Sequence, residues 1–253
     1  MTMLIYDGSF AGWLTTVFEV YERKLPTVHI MAADRETPDA FAARMQVITD
    51  EAKAARVWNG ILRHSSPDTG EMIWRAFLSE LAGVEDTLLV MVRYLFSGIA
   101  DAGKNYGHPA VLETTQTARK VWREKHRMEA FVRFRRLGDG LFYAGVEPDH
   151  NVLPLIAPHF KGRYADQQWL IYDLKRKYGI YHDHATGEVR EVNIDTGEGQ
   201  RSNDETLLDP SEPAYQELWK AYFRHTAIPE RKNLKLHLRH VPRRYWKYLV
   251  EKR

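Results

Sequence analysis

Apolar and polar residues alternate along much of the stretch from Met128 to Asp183, and this pattern predicts a β-sheet. Two runs of aromatic and β-branched residues flank a Gly-Asp-Gly sequence in EAFVRFRRLGDGLFYAGV, which predicts a β-hairpin. Alternation in the first strand places Arg133 and Arg135 on one side and Val132 and Phe134 on the other. The hairpin is therefore predicted to have an apolar packing face and a face carrying arginine.

The segment after the hairpin continues the sheet. Val152 to Tyr164 has the spacing of a helix, and WLIYDLKRKYGIYHD predicts a second strand pair that turns near Tyr178-Gly179. Glu188 to Ile194 alternates again and predicts a further strand.

The N-terminal half is predicted to be mainly helical after one short strand. Met3 to Tyr6 forms that strand, followed by a helix with Ser9 or Asp7 near its cap. An isolated strand needs a partner, so we expect this one to join the sheet that begins at Met128. Four more helices are predicted, and their ranges are Pro38 to Leu62, Ser66 to Leu81, Gly83 to Ala102 and His108 to Lys125.

Together these elements predict an α+β fold, with a mainly antiparallel sheet of about five strands and helices from both termini packed on it. We expect one domain over residues 1–253. Its predicted sub-regions are a strand with a helical layer (1–127), the sheet with an inserted helix (128–195), a polar loop (196–211) and basic C-terminal helices that begin near Pro213 (212–253).

Composition narrows the class of protein. The hydrophobic and charged fractions, 44% and 28%, are ordinary for a globular protein. The chain contains no cysteine, which excludes disulfides, thiolate metal sites and iron–sulfur clusters. No apolar segment has the length and purity of a membrane span or an export signal, so we expect a cytoplasmic protein without a membrane partner.

Binding to a polyanion has to rest on local clusters, because the net charge is only +2. The final segment, RKNLKLHLRHVPRRYWKYLVEKR, combines many cations with aromatic residues that offer stacking surface to unpaired bases. The alternative is that Trp246 and Leu249 pack on the core while the cations face solvent. The predicted nucleic-acid-binding residues are Arg133, Arg135, Lys161, Arg163, Arg243, Arg244, Tyr245, Trp246 and Lys247.

Two residues are candidates for catalysis. His159 precedes a cation, a glycine and a second cation, so it is placed to transfer a proton or contact a phosphate, although a structural role is the alternative. Asp173 is a candidate for activating water in a glycosidic-bond hydrolase. His182 and His184 have metal-ligand spacing but lack an evident third ligand, so we predict no metal and no cofactor.

Three stretches resemble one bacterial family of DNA-metabolism or DNA-repair proteins. They are IYDGSFAGWLTTVFEVYE, the segment from FVRFRRLGDGLFYAGV through LIYDLKRKYGIY, and ELWKAYFRHTAIPERKNLKLHLRHVPRRYWKYL. The resemblance implies association with a radical-SAM protein of DNA repair or modification. It also implies a C-terminal module that occurs fused to proteins similar to uracil-DNA glycosylases. A chain without cysteine cannot itself hold a radical-SAM cluster.

The sequence thus predicts a DNA-binding accessory protein that acts with a radical-SAM partner enzyme. One alternative is a nucleobase- or nucleotide-processing enzyme that uses His159 as acid or base beside an aspartate. A further alternative is a scaffold that docks another protein. The sequence leaves open whether the protein is an enzyme, which strand form of DNA it binds, and its oligomeric state.

Overall fold

A computed structural model describes residues 2–35, 43–193, 208–226 and 234–252. The chain divides into two compact units, Met1–Trp122 and Arg123–Arg253, and the boundary lies within one long helix. Both units combine helices with a sheet, so the predicted α+β class is confirmed. That residues 1–253 form a single domain stays a prediction.

The first unit contains a three-stranded parallel sheet. Its strands are β1 (Thr2–Tyr6), β2 (Val28–Ala32) and β3 (Ala43–Gln46), in the order β2-β1-β3. Helix α1 (Phe10–Glu22) connects β1 to β2, and the Ser9 side chain caps it by accepting a hydrogen bond from the Gly12 N–H. The predicted strand, helix and cap are confirmed.

The predicted partner of the first strand is wrong. β1 pairs in parallel with β2 and β3, and the strand ladders of the second unit contain no part of it. The partner strands contain only five and four residues, so their patterns are weak in the sequence. Because parallel strands need a crossover connection, α1 provides the link that a hairpin turn could not.

Among its described residues, the first unit contains three further α-helices and the first part of a fourth. They are α2 (Glu51–His64), α3 (Pro67–Phe77), α4 (Val84–Leu95) and α5 (Pro109–Phe131). The predicted helix from Pro38 to Leu62 is wrong over residues 43–50, because β3 lies there and Asp50 caps α2 by accepting from the Ala52 and Lys53 N–H groups. Residues 36–42, which include Pro38, lie outside the described residues.

The second unit contains a five-stranded sheet in the order of the chain. Its strands are β4 (Arg135–Arg136), β5 (Phe142–Val146), β6 (Trp169–Asp173), β7 (Tyr178–Asp183) and β8 (Glu188–Val192). Helix α6 (Leu153–Arg163) connects β5 to β6, which are parallel, whereas the other three ladders are antiparallel. The predicted hairpin, inserted helix and mainly antiparallel sheet are confirmed.

Two boundaries in this sheet differ from the prediction. Helix α5 continues to Phe131, so β4 contains only two residues and the segment from Val132 to Phe134 is not a strand. The turn between β6 and β7 precedes Tyr178, because the buried Asp173 carboxylate accepts the backbone N–H groups of Lys175 and Arg176. The carboxylate of the last residue of β6 therefore stabilises the turn that begins directly after it.

The C-terminal part contains helices α7 (Glu212–Thr226) and α8 (Leu234–His240), followed by 3-10 turns at Arg243–Tyr248 and Val250–Lys252. The predicted helix near Pro213 is confirmed. Most of the predicted polar loop (196–211) lies outside the described residues, as does Ile194 of the predicted strand, because the structure does not describe residues 194–207. No helix among the described residues has the length and apolar character needed to cross a membrane.

Two helical glycines offer a test of local packing. A Cβ at Gly12 would lie 2.8 Å from Oγ1 of Thr49 and closer still to the Asp7 carboxylate, whereas a Cβ at Gly162 meets open space. Gly12→Ala is expected to lower the free energy of unfolding by about 1–3 kcal/mol. Gly162→Ala is expected to raise it by about 0.5–1 kcal/mol, because alanine loses less backbone entropy. Urea denaturation measures both, and equal effects would contradict this packing.

Candidate nucleic-acid interface

A cavity of about 770 Å³ lies within the second unit. The end of α5 and the segment after it form one wall, the last turn of α6 forms another, and the first half of α7 forms a third. The residues whose side chains matter most for its chemistry are Arg133, Arg136, His159, Arg163, Tyr215 and Trp219. Three of the predicted site residues, Arg133, His159 and Arg163, therefore line one cavity.

Arg133 is held in place on the cavity wall. Its Nη1 donates to the carbonyl oxygens of Ala130 at 2.8 Å and Val132 at 3.1 Å, and its Nη2 donates to Oε1 of Glu251 at 2.9 Å. The guanidinium carbon lies 5.3 Å from the centre of the Trp219 ring. Burial acts to raise the pKa of Glu251, but the bonds from Arg133 and other donors lower that pKa overall. Arg133 thus orients Trp219 and neutralises a buried carboxylate.

The start of α7 is fixed to the hairpin by Glu212. One oxygen of this buried carboxylate accepts the backbone N–H of Arg136 at 3.0 Å, and the other accepts from Nε2 of Gln216 at 3.0 Å. The Arg136 side chain is 47% exposed, with Nη1 3.7 Å from Oδ2 of Asp209. The Arg136 guanidinium therefore stays accessible while its backbone anchors the helix.

Aromatic rings form the floor of the cavity. Phe160 and Tyr164 stack with an interplanar angle of 11°, and Phe134 meets both rings edge-on at 5.7 and 5.5 Å between centroids. Arg163 donates from Nε to the Tyr164 hydroxyl at 3.3 Å. Tyr215 is 62% exposed at the rim. The cavity therefore combines apolar faces with guanidinium groups, as sites for unpaired bases do.

His159 lies beside a glutamate. Its Nδ1 is 3.8 Å from Oε1 of Glu129, which is also 2.7 Å from Nζ of Lys125. Nδ1 of His126 lies 3.4 Å from the other oxygen of Glu129. The expected aspartate, Asp173, is the last residue of β6, and its carboxylate also accepts from Nη1 of Arg176 at 2.8 Å. Its geometry is that of a turn-stabilising residue, and its predicted catalytic role stays a prediction.

Arg244 and Tyr245 of the basic C-terminal segment contact a buried carboxylate on α5. Arg244 donates to Oε2 of Glu124 at 2.8 Å and pairs with Asp149, while the Tyr245 hydroxyl donates to Oε1 of Glu124. Burial and the adjacent carboxylate raise the pKa of Tyr245. The Asp149 N–H also donates to Glu124, at 2.9 Å. These two predicted DNA-binding residues therefore hold the C-terminal segment against α5.

The remaining predicted nucleic-acid-binding residues lie in different environments. Lys247 pairs with Glu147. Trp246 donates from Nε1 to the Val241 carbonyl at 3.0 Å, and the exposed Arg243 lies 5.9 Å from its ring. Arg135 of β4 lies opposite Tyr143 in the strand ladder, and burial raises the pKa of Tyr143 to about 12. Lys161 is exposed on α6. Some of the predicted nucleic-acid-binding residues therefore line the cavity. The basic C-terminal segment from residue 234 to 252, here called the tail, is held by ion pairs with carboxylates.

His182 has a structural environment. It is buried, its Nδ1 lies 2.9 Å from the Gln167 carbonyl oxygen, and its ring stacks on Trp169 at 5.2 Å between centroids. His184, two residues later, is exposed. Within residues 2–35, 43–193, 208–226 and 234–252, no group of three histidine, aspartate or glutamate side chains is arranged to hold a metal ion.

The chain belongs to a family described as a domain of unknown function, DUF4130, whose model matches residues 82–251. This match covers about two thirds of the chain and includes every residue of the cavity. No curated protein and no solved structure is significantly similar to the chain. The family and the α+β fold are therefore established, and the function has to be inferred from the site.

Several cavity residues were not among the predicted site residues. Tyr215 and Trp219 share one side of α7 because they are four positions apart, and this spacing is visible in the sequence. Glu129 lies beyond Lys125, where the sequence predicts the end of the helix, whereas α5 continues to Phe131. Phe134 packs edge-on against Phe160 and Tyr164 and also lines the cavity.

Neighbouring arginines in the tail test its structural role. Arg244→Ala removes a donor from the buried Glu124 and is expected to lower the free energy of unfolding by about 1–3 kcal/mol. Arg243→Ala, at an exposed position, is expected to change it by less than about 0.5 kcal/mol. Chemical denaturation compares the two variants, and similar losses would show that the Glu124 contacts do not hold the tail.

Proposed function

We propose that this protein is a DNA-binding accessory protein in DNA repair or modification, that it acts with a radical-SAM partner enzyme, and that it contacts DNA through the cavity of the second unit. The observation that carries the DNA-binding proposal is the convergence of Arg133, Arg136 and Arg163 with exposed aromatic rings around one opening. The role of the partner enzyme rests on the family resemblance of the sequence.

The chemistry of the cavity matches the two parts of a nucleotide. Guanidinium groups bind phosphate oxygens through charge-assisted hydrogen bonds, and aromatic faces stack on bases. Arg136 and Arg163 are placed for the first task, and Tyr215 for the second. The acidic residues near the opening do not oppose this, because Glu129 and Glu212 already accept bonds or pair with cations.

The distribution of charge in the second unit also favours the cavity over the tail. Arg244 and Lys247 neutralise carboxylates of their own unit, so phosphates would have to compete with existing ion pairs. The guanidinium of Arg163 instead donates to a neutral hydroxyl. Arg163 would therefore bind phosphate at a lower energetic cost than Arg244 and Lys247, because it would not have to leave a carboxylate.

Salt dependence tests the proposal. The affinity for a single-stranded oligonucleotide should fall with rising salt, with log K changing by about −0.7 per log unit of salt for each phosphate neutralised. Arg163→Gln should weaken binding severalfold and reduce the magnitude of this slope by about 0.7. Fluorescence anisotropy measures both quantities.

The matched control is Arg190→Gln. Arg190 is an exposed arginine of β8, 2.7 Å from Glu188, and lies in the same unit away from the cavity. Its replacement should leave the salt slope unchanged. A flat salt titration of the unaltered protein, or equal losses from both variants, would contradict the proposal.

A second candidate function is a nucleobase- or nucleotide-processing enzyme. It is favoured by the position of His159 in the cavity wall, 3.8 Å from the Glu129 carboxylate. An imidazole in the wall of a cavity is a candidate general acid or base for glycosidic-bond cleavage.

Substitution of His159 separates this function from simple binding. If the protein releases bases from single-stranded DNA, alkaline cleavage will reveal abasic sites, and His159→Gln should reduce their formation at least about a hundredfold. Thermal unfolding serves as the control, because the exposed imidazole should contribute little to stability. Full activity in the variant, or no base release by the unaltered protein, would contradict the enzyme function.

A further inference from the structure

We infer that the cavity of the second unit accommodates one unstacked nucleobase of a single strand. This inference rests on the proposed DNA-binding function and gives the cavity a specific ligand. It is carried by the size of the cavity, the exposed rings at its rim and the polar side chains in its walls.

The size of the cavity suits a ligand much smaller than a duplex. Its volume of about 770 Å³ falls in the range of about 300–1,000 Å³ that is typical of small-molecule sites. A base within a duplex is stacked and paired, so it would first have to leave the helix to enter such a space. A base of a single strand avoids most of this cost.

The rim offers aromatic surface that the fold does not use fully. Tyr215 and Trp219 are 62% and 39% exposed, and both line the cavity. Trp219 is fixed, because its Nε1 donates to Oε2 of Glu251 at 3.0 Å and the Arg133 guanidinium lies near its ring. Exposed rings in fixed positions provide stacking surface for a base at little entropic cost.

The walls carry groups that can bind the edge of a base. Gln167 and Gln216 line the cavity, and a side-chain amide offers two N–H donors and an acceptor, of which Gln216 already uses one donor for Glu212. Arg136 and Arg163 also line the cavity, and their guanidinium groups can bind phosphates of the strand that inserts the base. The cavity therefore offers binding groups for both the base and the phosphates of one nucleotide.

The experiment compares two strands of equal charge. One is a thymidine oligonucleotide of about twelve nucleotides, and the other is an abasic strand of the same length with the same number of phosphates. The unaltered protein should bind the thymidine strand at least about tenfold more tightly, because base–aromatic stacking contributes substantially to such sites. Tyr215→Ala should remove most of this preference and leave binding of the abasic strand nearly unchanged.

Leu218→Ala is the control, because Leu218 is 66% exposed on the same helix but outside the cavity lining. It should retain the preference for the thymidine strand. Equal affinity of the unaltered protein for both strands would overturn the base-binding inference while preserving DNA binding. Binding to neither strand would overturn both proposals. If Tyr215→Ala and Leu218→Ala lost the preference equally, the bases would bind along α7 as a whole, and the cavity would be overturned as their site.

Discussion

One buried carboxylate, Glu124, determines how the C-terminal segment of the second unit is arranged. It accepts hydrogen bonds from the Asp149 N–H, the Arg244 guanidinium and the Tyr245 hydroxyl. A buried charge is tolerated only when it is paired and hydrogen-bonded, so these donors are required once the glutamate lies inside. Arg244 and Tyr245 of the basic C-terminal segment, which the sequence suggests for polyanion binding, therefore stabilise the fold.

This arrangement extends to the cavity through a series of contacts. The segment held by Glu124 continues to Glu251, which accepts from Arg133 and from Nε1 of Trp219. Arg133 in turn lies over the Trp219 ring. Two groups of cations in the second unit can be distinguished by their partners. One group compensates buried carboxylates and shapes the cavity, while Arg136 and Arg163 contribute positive charge at the cavity itself.

Elements with strong periodicity could be predicted from the sequence, whereas their partners and ends could not. The hairpin, α6 and the cap of α1 follow from local patterns. The parallel pairing of β1 depends on β2 and β3, whose short sequences carry little signal. The role of Arg244 depends on Glu124, 120 positions earlier, and such pairing is invisible without the fold. The clustering of His159, Arg133 and Arg163 also arises only when α5 and α6 converge.

The central claim is that bases bind in the cavity of the second unit and not on the basic tail. Ultraviolet cross-linking of the full chain to a thymidine oligonucleotide, with the adducts located by mass spectrometry, tests this directly, because aromatic side chains in contact with bases are the groups expected to react. The account predicts adducts at Tyr215 or Trp219, in the wall of the cavity. Adducts confined to Tyr245, Trp246 and Tyr248 would contradict it.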